Sequence, residues 1–363
     1  MLKLILTYAI TIATCISFFV FTNVGRMVLS GEVSRYFTVG TFMVLAVVIS
    51  EVFEQYYSSP DFDVNWQRWV FSILGYILRP GIAFVLLLVP LRGYKKYSYI
   101  LVLPLALDVL FLLISPFCGI VFSFDSNNRF EGGPLRFIPF VVSGIYLASL
   151  LVVSYIRSKR CYTSEFVAST FIVLTCCLAI YLESEHNLLG SLPQAIIVGI
   201  IFYYIYFCTE NYNKDILTGA YNRNKFHHDT DIAGFKFFII FDINGLKLIN
   251  DNRGHIVGDL AIQSFARQTL HVLPPRANLY RIGGDEMGII YRGATEDDVK
   301  NLLEKIKQSM KEDDVPYGFS YGYASYISAD EFNSAYKIAD DMMYESKNAY
   351  WADYRQKHSV SKK

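Results

Sequence analysis

Residues 281–287 read Arg-Ile-Gly-Gly-Asp-Glu-Met: two glycines, then two adjacent carboxylates, set between apolar stretches at 278–282 and 287–291. Apolar, Gly-Gly, apolar is a hairpin pattern, because glycine supplies the positive φ of a tight turn. Glycine also lets backbone approach a ligand closely. Asp285 and Glu286 therefore sit where little side-chain bulk blocks a phosphate or a metal. An ordinary acidic surface turn has the same composition, and the short motif alone does not separate the two readings. A second run bears on the choice. Residues 236–243, Lys-Phe-Phe-Ile-Ile-Phe-Asp-Ile, predict a buried strand ending in a lone carboxylate, Asp242. A carboxylate at a strand end, facing a hairpin with two more, suits a hard divalent cation. Lys247, a helical turn further on, suits a phosphate. Asn250 and Asp259 can read the polar edge of a base, and an amphipathic stretch follows at 260–273.

Over roughly residues 211–352 these features resemble the GGDEF family, the diguanylate cyclases. Residues 215–226 are similar to the family's D-x-L-T-G-x-x-N-R opening helix, and 242–259 to its D-x-x-x-x-K-x-x-N-D-x-x-G-H-x-x-G-D segment. Gly283 to Glu286 resemble the signature itself. Ser-Tyr-Gly at 320–322 and the run 339–347 resemble the S-x-G strand and the A-D-x-x-x-Y-x-x-K helix. Five ordered matches at suitable spacing leave little room for chance.

The resemblance implies an α/β (α+β) domain of the ferredoxin-like, nucleotidyl-cyclase palm type with a central antiparallel sheet. It implies Mg²⁺ (or Mn²⁺) on Asp242, the backbone carbonyl of Ile243 and Asp285, with Glu286 completing or supporting the metal site. Lys247 and Lys347 would neutralise the β- and γ-phosphates. Asn250, His255 and Asp259 would line the nucleotide pocket beside Gly283 and Gly284, with Asn250 and Asp259 reading guanine. Asp285 is the family's usual proton acceptor. The implied reaction is attack by the 3′-hydroxyl of one GTP on the α-phosphate of another, giving cyclic di-GMP and pyrophosphate. One domain holds one GTP, so a homodimer is expected.

Four departures qualify the resemblance. Met287 stands where the signature has Phe; methionine is apolar and adaptable, so packing beneath the turn should survive. Asn244 stands where many relatives carry a second aspartate. Trp351 occupies the place, four residues after Lys347, where the family often has an arginine, which predicts one phosphate contact fewer and a higher KM for GTP. Pro274 and Ala277 occupy the positions of the R-x-x-D product-inhibition motif, so that site cannot form.

The elements that must position these residues make up only the C-terminal part. The chain as a whole is 53% hydrophobic, unusual for a soluble protein and expected for a membrane one. Seven apolar stretches, near 4–24, 36–54, 69–91, 98–122, 136–156, 164–182 and 190–208, approach the length needed to cross a bilayer of about 30 Å. The first follows Lys3 but lacks a persuasive cleavage site and is read as a retained helix rather than a signal peptide. Arg92, Lys95 and Lys96 fall in one loop and Arg157, Lys159 and Arg160 in another, while the segments 55–67 and 183–190 carry none. The positive-inside rule places the basic loops in the cytoplasm, the N-terminus outside and the C-terminal domain inside, in a bacterial inner membrane.

Expected domains are thus a membrane sensor region at 1–208, a short linker at 209–214, the cyclase domain at 215–352 and a polar tail at 353–363. The short linker leaves no room for a separate cytoplasmic sensor. Within the spans, Arg79 and Asp108 lie at similar depths. They predict either a structural ion pair or part of a ligand-responsive switch helped by a helix break at Pro80 and Gly81. Glu183, Glu185 and His186 predict a solvated loop, with a cation site as the sharper reading. Six scattered cysteines show neither metal spacing nor a disulfide framework. Equal basic and acidic counts, 33 each, give no sign of nucleic-acid binding. The function expected is a membrane-bound diguanylate cyclase. The alternative is an inactive receptor that binds GTP or cyclic di-GMP; decayed members usually lose the signature carboxylates, which this chain keeps.

Overall fold

The structure, a computed structural model, describes residues 2–24, 31–59, 65–91, 98–161, 165–186, 188–312 and 318–360. It divides into two units, Met1–Ser158 with Thr163–Thr209, and Lys159–Tyr162 with Glu210–Lys363. The first contains α1 (Leu2–Thr7), α2 (Ala9–Val24), α3 (Gly31–Tyr57), α4 (Trp66–Leu88) and α5 (Ser98–Cys118). A short hairpin, β1 (Phe122–Phe124) and β2 (Phe130–Gly132), precedes α6 (Ile138–Cys161), α7 (Glu165–His186) and α8 (Ser191–Tyr212). The expected linker is therefore largely the last turns of α8.

Among the described residues six helices, α3 to α8, are long and apolar enough to cross a membrane, where seven spans were expected. The first apolar stretch falls short because the chain turns at Tyr8, whose hydroxyl accepts a bond from Gln55 at 3.2 Å. That leaves α2 with 16 residues, about 24 Å at 1.5 Å per residue. Even so, α2 packs into the bundle: Cys15 and Phe18 are buried in its core, and Phe18 meets Tyr204 edge-on at 5.2 Å. The outside of the bundle is apolar, as a lipid-facing surface requires, with Leu103, Leu107, Leu110 and Phe117 of α5 exposed.

In lipid, helices gain little from burying apolar surface against one another, so close packing and internal polar bonds decide how they associate. Gly81 illustrates the first. A Cβ there would lie 2.6 Å from Met43 of α3, so its role is close approach, and α4 runs unbroken through Pro80 and Gly81 instead of breaking there. Tyr146 illustrates the second. Its hydroxyl donates to the Leu101 carbonyl at 2.6 Å and accepts from the Leu105 amide at 3.1 Å, standing inside the α5 ladder beside Pro104.

Arg79 pairs with Glu51 at 2.7 Å, not with Asp108, whose two buried carboxylate oxygens have no hydrogen-bond partner among the described residues. Glu183 accepts from the Leu192 amide and the Ser191 hydroxyl at 3.3 and 3.4 Å, acting on the N-terminus of α8, while Glu185 and His186 are exposed. The hairpin is held by Arg68, which bonds to Asn128, pairs with Glu54 at 3.3 Å and lies 4.1 Å over the Phe124 ring. The described cysteines are free of disulfides, and Cys15 and Cys176 are buried packing residues. The side chains of Lys159, Arg160 and Cys161 lie outside the described residues, as do Arg92, Lys95 and Lys96 altogether.

The second unit holds α9 (Arg223–Asp231), β3 (Lys236–Ile243), α10 (Leu246–Arg253), α11 (His255–Val272), β4 (Ala277–Arg281), β5 (Glu286–Arg292), α12 (Glu296–Glu312), β6 (Phe319–Tyr326) and α13 (Ala329–Val360). Its four strands form an antiparallel sheet in the order β4-β5-β3-β6, the expected palm architecture. Every residue of β3 is buried, because both faces are covered. Alternate side chains point to opposite faces of a strand. Phe237, Ile239, Phe241 and Ile243 pack with Phe265 of α11 and Ile306 of α12. Phe238 and Ile240 pack with Phe226 of α9 and Phe332 and Met343 of α13. The polar tail expected from 353 onward continues α13 as helix.

Candidate functional site

The end of β3 is where the sequence places its chemistry, and the sheet delivers three of those groups there. In the register of β3 with β5, Asp242 stands directly across from Glu286. Like charges directly opposed on neighbouring strands destabilise each other unless something between them carries the opposite sign. Burial raises the Glu286 carboxyl above the usual range, and the charges of Asp285, Asp340 and Asp242 raise it further, with Arg223 opposing. Hard carboxylate oxygens brought this close fit a divalent cation. Among the described residues no three His, Cys, Asp or Glu side chains converge on one point; Asp242 is held instead by the Lys347 ammonium at 2.8 Å.

The Gly-Gly turn works differently from its expected role. Neither Gly283 nor Gly284 has a positive φ. A Cβ on Gly283 would lie 3.0 Å from Glu286 Oε2, so glycine gives that side chain room, while one on Gly284 would meet nothing within 4 Å. Asp285 and Gly284 are exposed, and beneath the turn Met287 is fully buried in the sheet core. Substituting Met for Phe therefore leaves the support of the turn intact.

Arg281, to which the sequence reading gave no role, clasps this turn. Its Nη2 and Nε donate to the Gly284 carbonyl at 2.7 and 3.2 Å, and Nη1 contacts Asp215 at 3.3 Å. Asp215 belongs to the segment expected to be helical. It forms a turn instead: Asp215 Oδ1 accepts from the Thr218 amide and hydroxyl, and Gly219 takes φ +70. Asn222 then caps α9 by accepting from the Lys225 amide at 3.0 Å. Burial works to raise the Asp215 carboxyl, but the Thr218 and Arg281 bonds outweigh it and hold it below the usual range.

After β3 the chain turns through Asn244 and Gly245, φ +76, into α10. Asn244 is buried, and its Oδ1 accepts from the Ser320 hydroxyl at 2.8 Å, so it ties the loop to β6. Trp351 of α13 lies against the same loop, its ring 3.8 Å from where a Gly245 Cβ would stand. Lys247 is exposed on the first turn of α10. Asn250 lies midway along that helix, and its side-chain oxygen would be 1.8 Å from a Cβ on Gly258; only glycine there admits it. His255 and Asp259 are exposed on the first turns of α11, Asp259 one residue beyond Gly258. The structure thus sets Asp242, Ile243, Lys347 and Glu286 together at the sheet end, with Asp285 on the adjoining turn. Asn250 and Asp259 flank the α10–α11 junction. Pro274 and Ala277 stand before and at the start of β4.

Residues 212–351 match the family model described as "Diguanylate cyclase, GGDEF domain". Over 37% of its length the chain is 31% identical to diguanylate cyclase VdcA of Vibrio cholerae, covering 44% of that protein. It is also 31% identical to the probable diguanylate cyclase DgcJ of Escherichia coli, over 37% of this chain and 29% of that one. The chain spans less than half the length of these curated relatives. The crystal structure of the GGDEF domain of DgcB from Caulobacter crescentus in complex with c-di-GMP is 25% identical with a TM-score of 0.35, over 38% of this chain and 91% of that one.

Proposed function

We propose that the GGDEF domain formed by residues 212–351 makes this chain a membrane-bound diguanylate cyclase, condensing two GTP into cyclic di-GMP and pyrophosphate. The observation that carries the reading is the sheet end itself. Asp242 and Glu286 oppose each other, Lys347 sits on Asp242, and glycine leaves the approach clear. Asp242, the Ile243 carbonyl and Asp285 would hold Mg²⁺ or Mn²⁺, with Glu286 in support. When bound, that cation supplies positive charge over the triphosphate.

The chain's own residues do the rest. Lys247 and Lys347 neutralise the β- and γ-phosphates, Lys347 exchanging its carboxylate partner for phosphate oxygen. Asn250 and Asp259 hydrogen-bond the guanine edge, and His255 lines the same pocket. Asp285, exposed on the turn, accepts the proton of the attacking 3′-hydroxyl. Gly283 and Gly284 let the backbone come close to the phosphates. Phosphoryl transfer needs the nucleophile in line with the leaving group, and each domain holds one GTP, so the active species is a homodimer with two sites facing. With Pro274 and Ala277 in place of the R-x-x-D residues, product does not inhibit through that motif. The basic residues at 92–96 and at 157–160, the end of α6, support a cytoplasmic catalytic domain, where GTP is. The N-terminus lies outside if α1 and α2 together, 2–24, complete a traverse.

Incubating the purified protein with GTP and Mg²⁺ and identifying the product by mass tests the reading. Cyclic di-GMP with pyrophosphate supports it; GTP bound but unchanged overturns it.

A further inference from the structure

In the membrane unit, α3, α4 and the β1–β2 hairpin enclose a cavity of about 310 Å³. Its lining is unlike the apolar bundle around it. Glu51 and Glu54 come from α3, Ser72, Tyr76 and Arg79 from α4, and Phe130 from the hairpin. The volume suits a small molecule, and buried polar groups are normally satisfied, so those that are not mark where something else bonds.

Ser72 is 7% exposed and its hydroxyl has no hydrogen-bond partner among the described residues. Glu51, 9% exposed, gives one carboxylate oxygen to Arg79. Pro80 has no N–H, so the carbonyl of Tyr76, four residues before it, lacks its usual helical donor. Glu51 Oε2 and Arg79 Nε also find no partner among the described residues, so two oxygens and the Tyr76 carbonyl stand beside one unpaired N–H. Glu51, Glu54 and the neighbouring Glu183, which interacts electrostatically with both Glu51 and Arg79, outnumber Arg79 and the Arg68 that pairs with Glu54. Within the lining each carboxylate has an arginine partner, and the extra carboxylate, Glu183, lies outside the lining. Aromatic rings at Tyr76 and Phe130 suit an organic cation.

We propose that this cavity binds a small organic ammonium compound, its N–H groups donating to Glu51 and the Ser72 hydroxyl and its carbon skeleton lying on the Tyr76 and Phe130 rings. The proposal does not rest on the cyclase reading. Occupancy would bridge α3, α4 and the hairpin, which otherwise meet there through the Glu51–Arg79 pair and the Arg68 contacts to Glu54 and Asn128.

The test uses the full chain in detergent micelles and isothermal titration calorimetry, with 2-phenylethylammonium and n-butylammonium as probes. Their isosteres 2-phenylethanol and 3-phenylpropionate serve as controls. The expected result is saturable one-to-one binding of at least one amine, with the neutral and anionic isosteres not binding. Ser72→Leu, which fills the cavity, and Glu51→Gln should each weaken that binding about tenfold or more, the loss of one hydrogen bond to a charged group. Ser72→Leu leaves both ion pairs in place, so it decides the matter if Glu51→Gln does not fold. Binding of the carboxylate as tight as the amine, unchanged affinity in folded Ser72→Leu, or no saturable binding of either amine at millimolar concentration overturns the proposal.

Discussion

Asp242 and Glu286 stand opposed across one rung of the sheet, with the Lys347 ammonium on Asp242 and the proposed metal site beside them. Replacing Asp242 or Asp285 by alanine should therefore abolish turnover while leaving the fold intact, since each change removes an oxygen ligand that no neighbour replaces. Product assay beside circular dichroism of the same samples checks this, and substantial cyclic di-GMP from either variant contradicts the assigned roles. Trp351 is a different kind of residue. It lies against the Gly245 loop, and on the proposed mechanism an arginine there would reach phosphate. Trp351→Arg should lower KM for GTP with kcat nearly unchanged, the pattern of added ground-state and transition-state binding alike; steady-state kinetics that show no fall in KM would refute it. The ligand-type residues were legible because their spacing is short and their chemistry explicit. Arg281 was not. Its partner Asp215 lies 66 positions away in the chain, and no periodicity signals a clasp of that range.

Elements were legible in proportion to how strongly one physical term dictated them. The β3 strand came out residue for residue, because eight consecutive buried positions leave no other reading. The segment 215–222 was misjudged as helix because its Asp, Thr, Gly and Asn form a turn and a cap through side-chain bonds, which compete with helix rather than build it. The β1–β2 hairpin was missed between two apolar stretches, where Ser115 holds it by accepting from the amides of Val121 and Phe122 at 3.2 and 3.0 Å. In the catalytic domain one carboxylate joins several elements. Asp229 at the end of α9 pairs with Lys225 at 3.0 Å and Arg292 of β5 at 3.3 Å, and accepts from the Tyr280 hydroxyl of β4 at 2.6 Å. Burial pushes its carboxyl up, but the Tyr280, Lys225 and Arg292 interactions outweigh that and hold it below the usual range. A carboxylate depressed in the folded state contributes stability above its unfolded pKa of about 3.9, and that contribution is lost as pH falls through the folded value. Asp229→Asn should thus destabilise the domain by about 1.5–3 kcal/mol at pH 7, with the gap to the native chain narrowing below pH about 4. Denaturant titrations at pH 7 and pH 3.5 measure it; a gap that stays constant or widens in acid would show that Asp229 does not act through its charge. In α5, the Tyr146 hydroxyl satisfies a carbonyl and an amide of the opened ladder at once. Tyr146→Phe leaves both without that partner and should cost about 1–3 kcal/mol, read as earlier loss of helicity on heating in detergent; an unchanged transition would mean the ladder closes by itself.

At the scale of the whole molecule, the two units answer to different solvents, one apolar outside with polar groups within, the other a two-faced sheet covered by helices. Each has its own core, so the catalytic unit should fold when separated. What it should lose is encounter. If two domains must face each other for one GTP to attack the other, the rate depends on how often domains meet, and confinement to a membrane by the helical unit keeps that frequency high. Residues 211–363 alone are therefore expected to bind GTP yet cyclise it slowly, with a specific rate that climbs steeply with protein concentration. Fusing that fragment to a dimeric coiled coil should restore the rate at low concentration, because linkage replaces a bimolecular encounter with a high effective concentration of the second domain. The measurement is initial rate per domain across a dilution series from micromolar to nanomolar, for fragment, fusion and full chain in liposomes. A fragment fully active at nanomolar concentration would mean that it dimerises unaided, and that the membrane helices contribute something other than the meeting of two active sites.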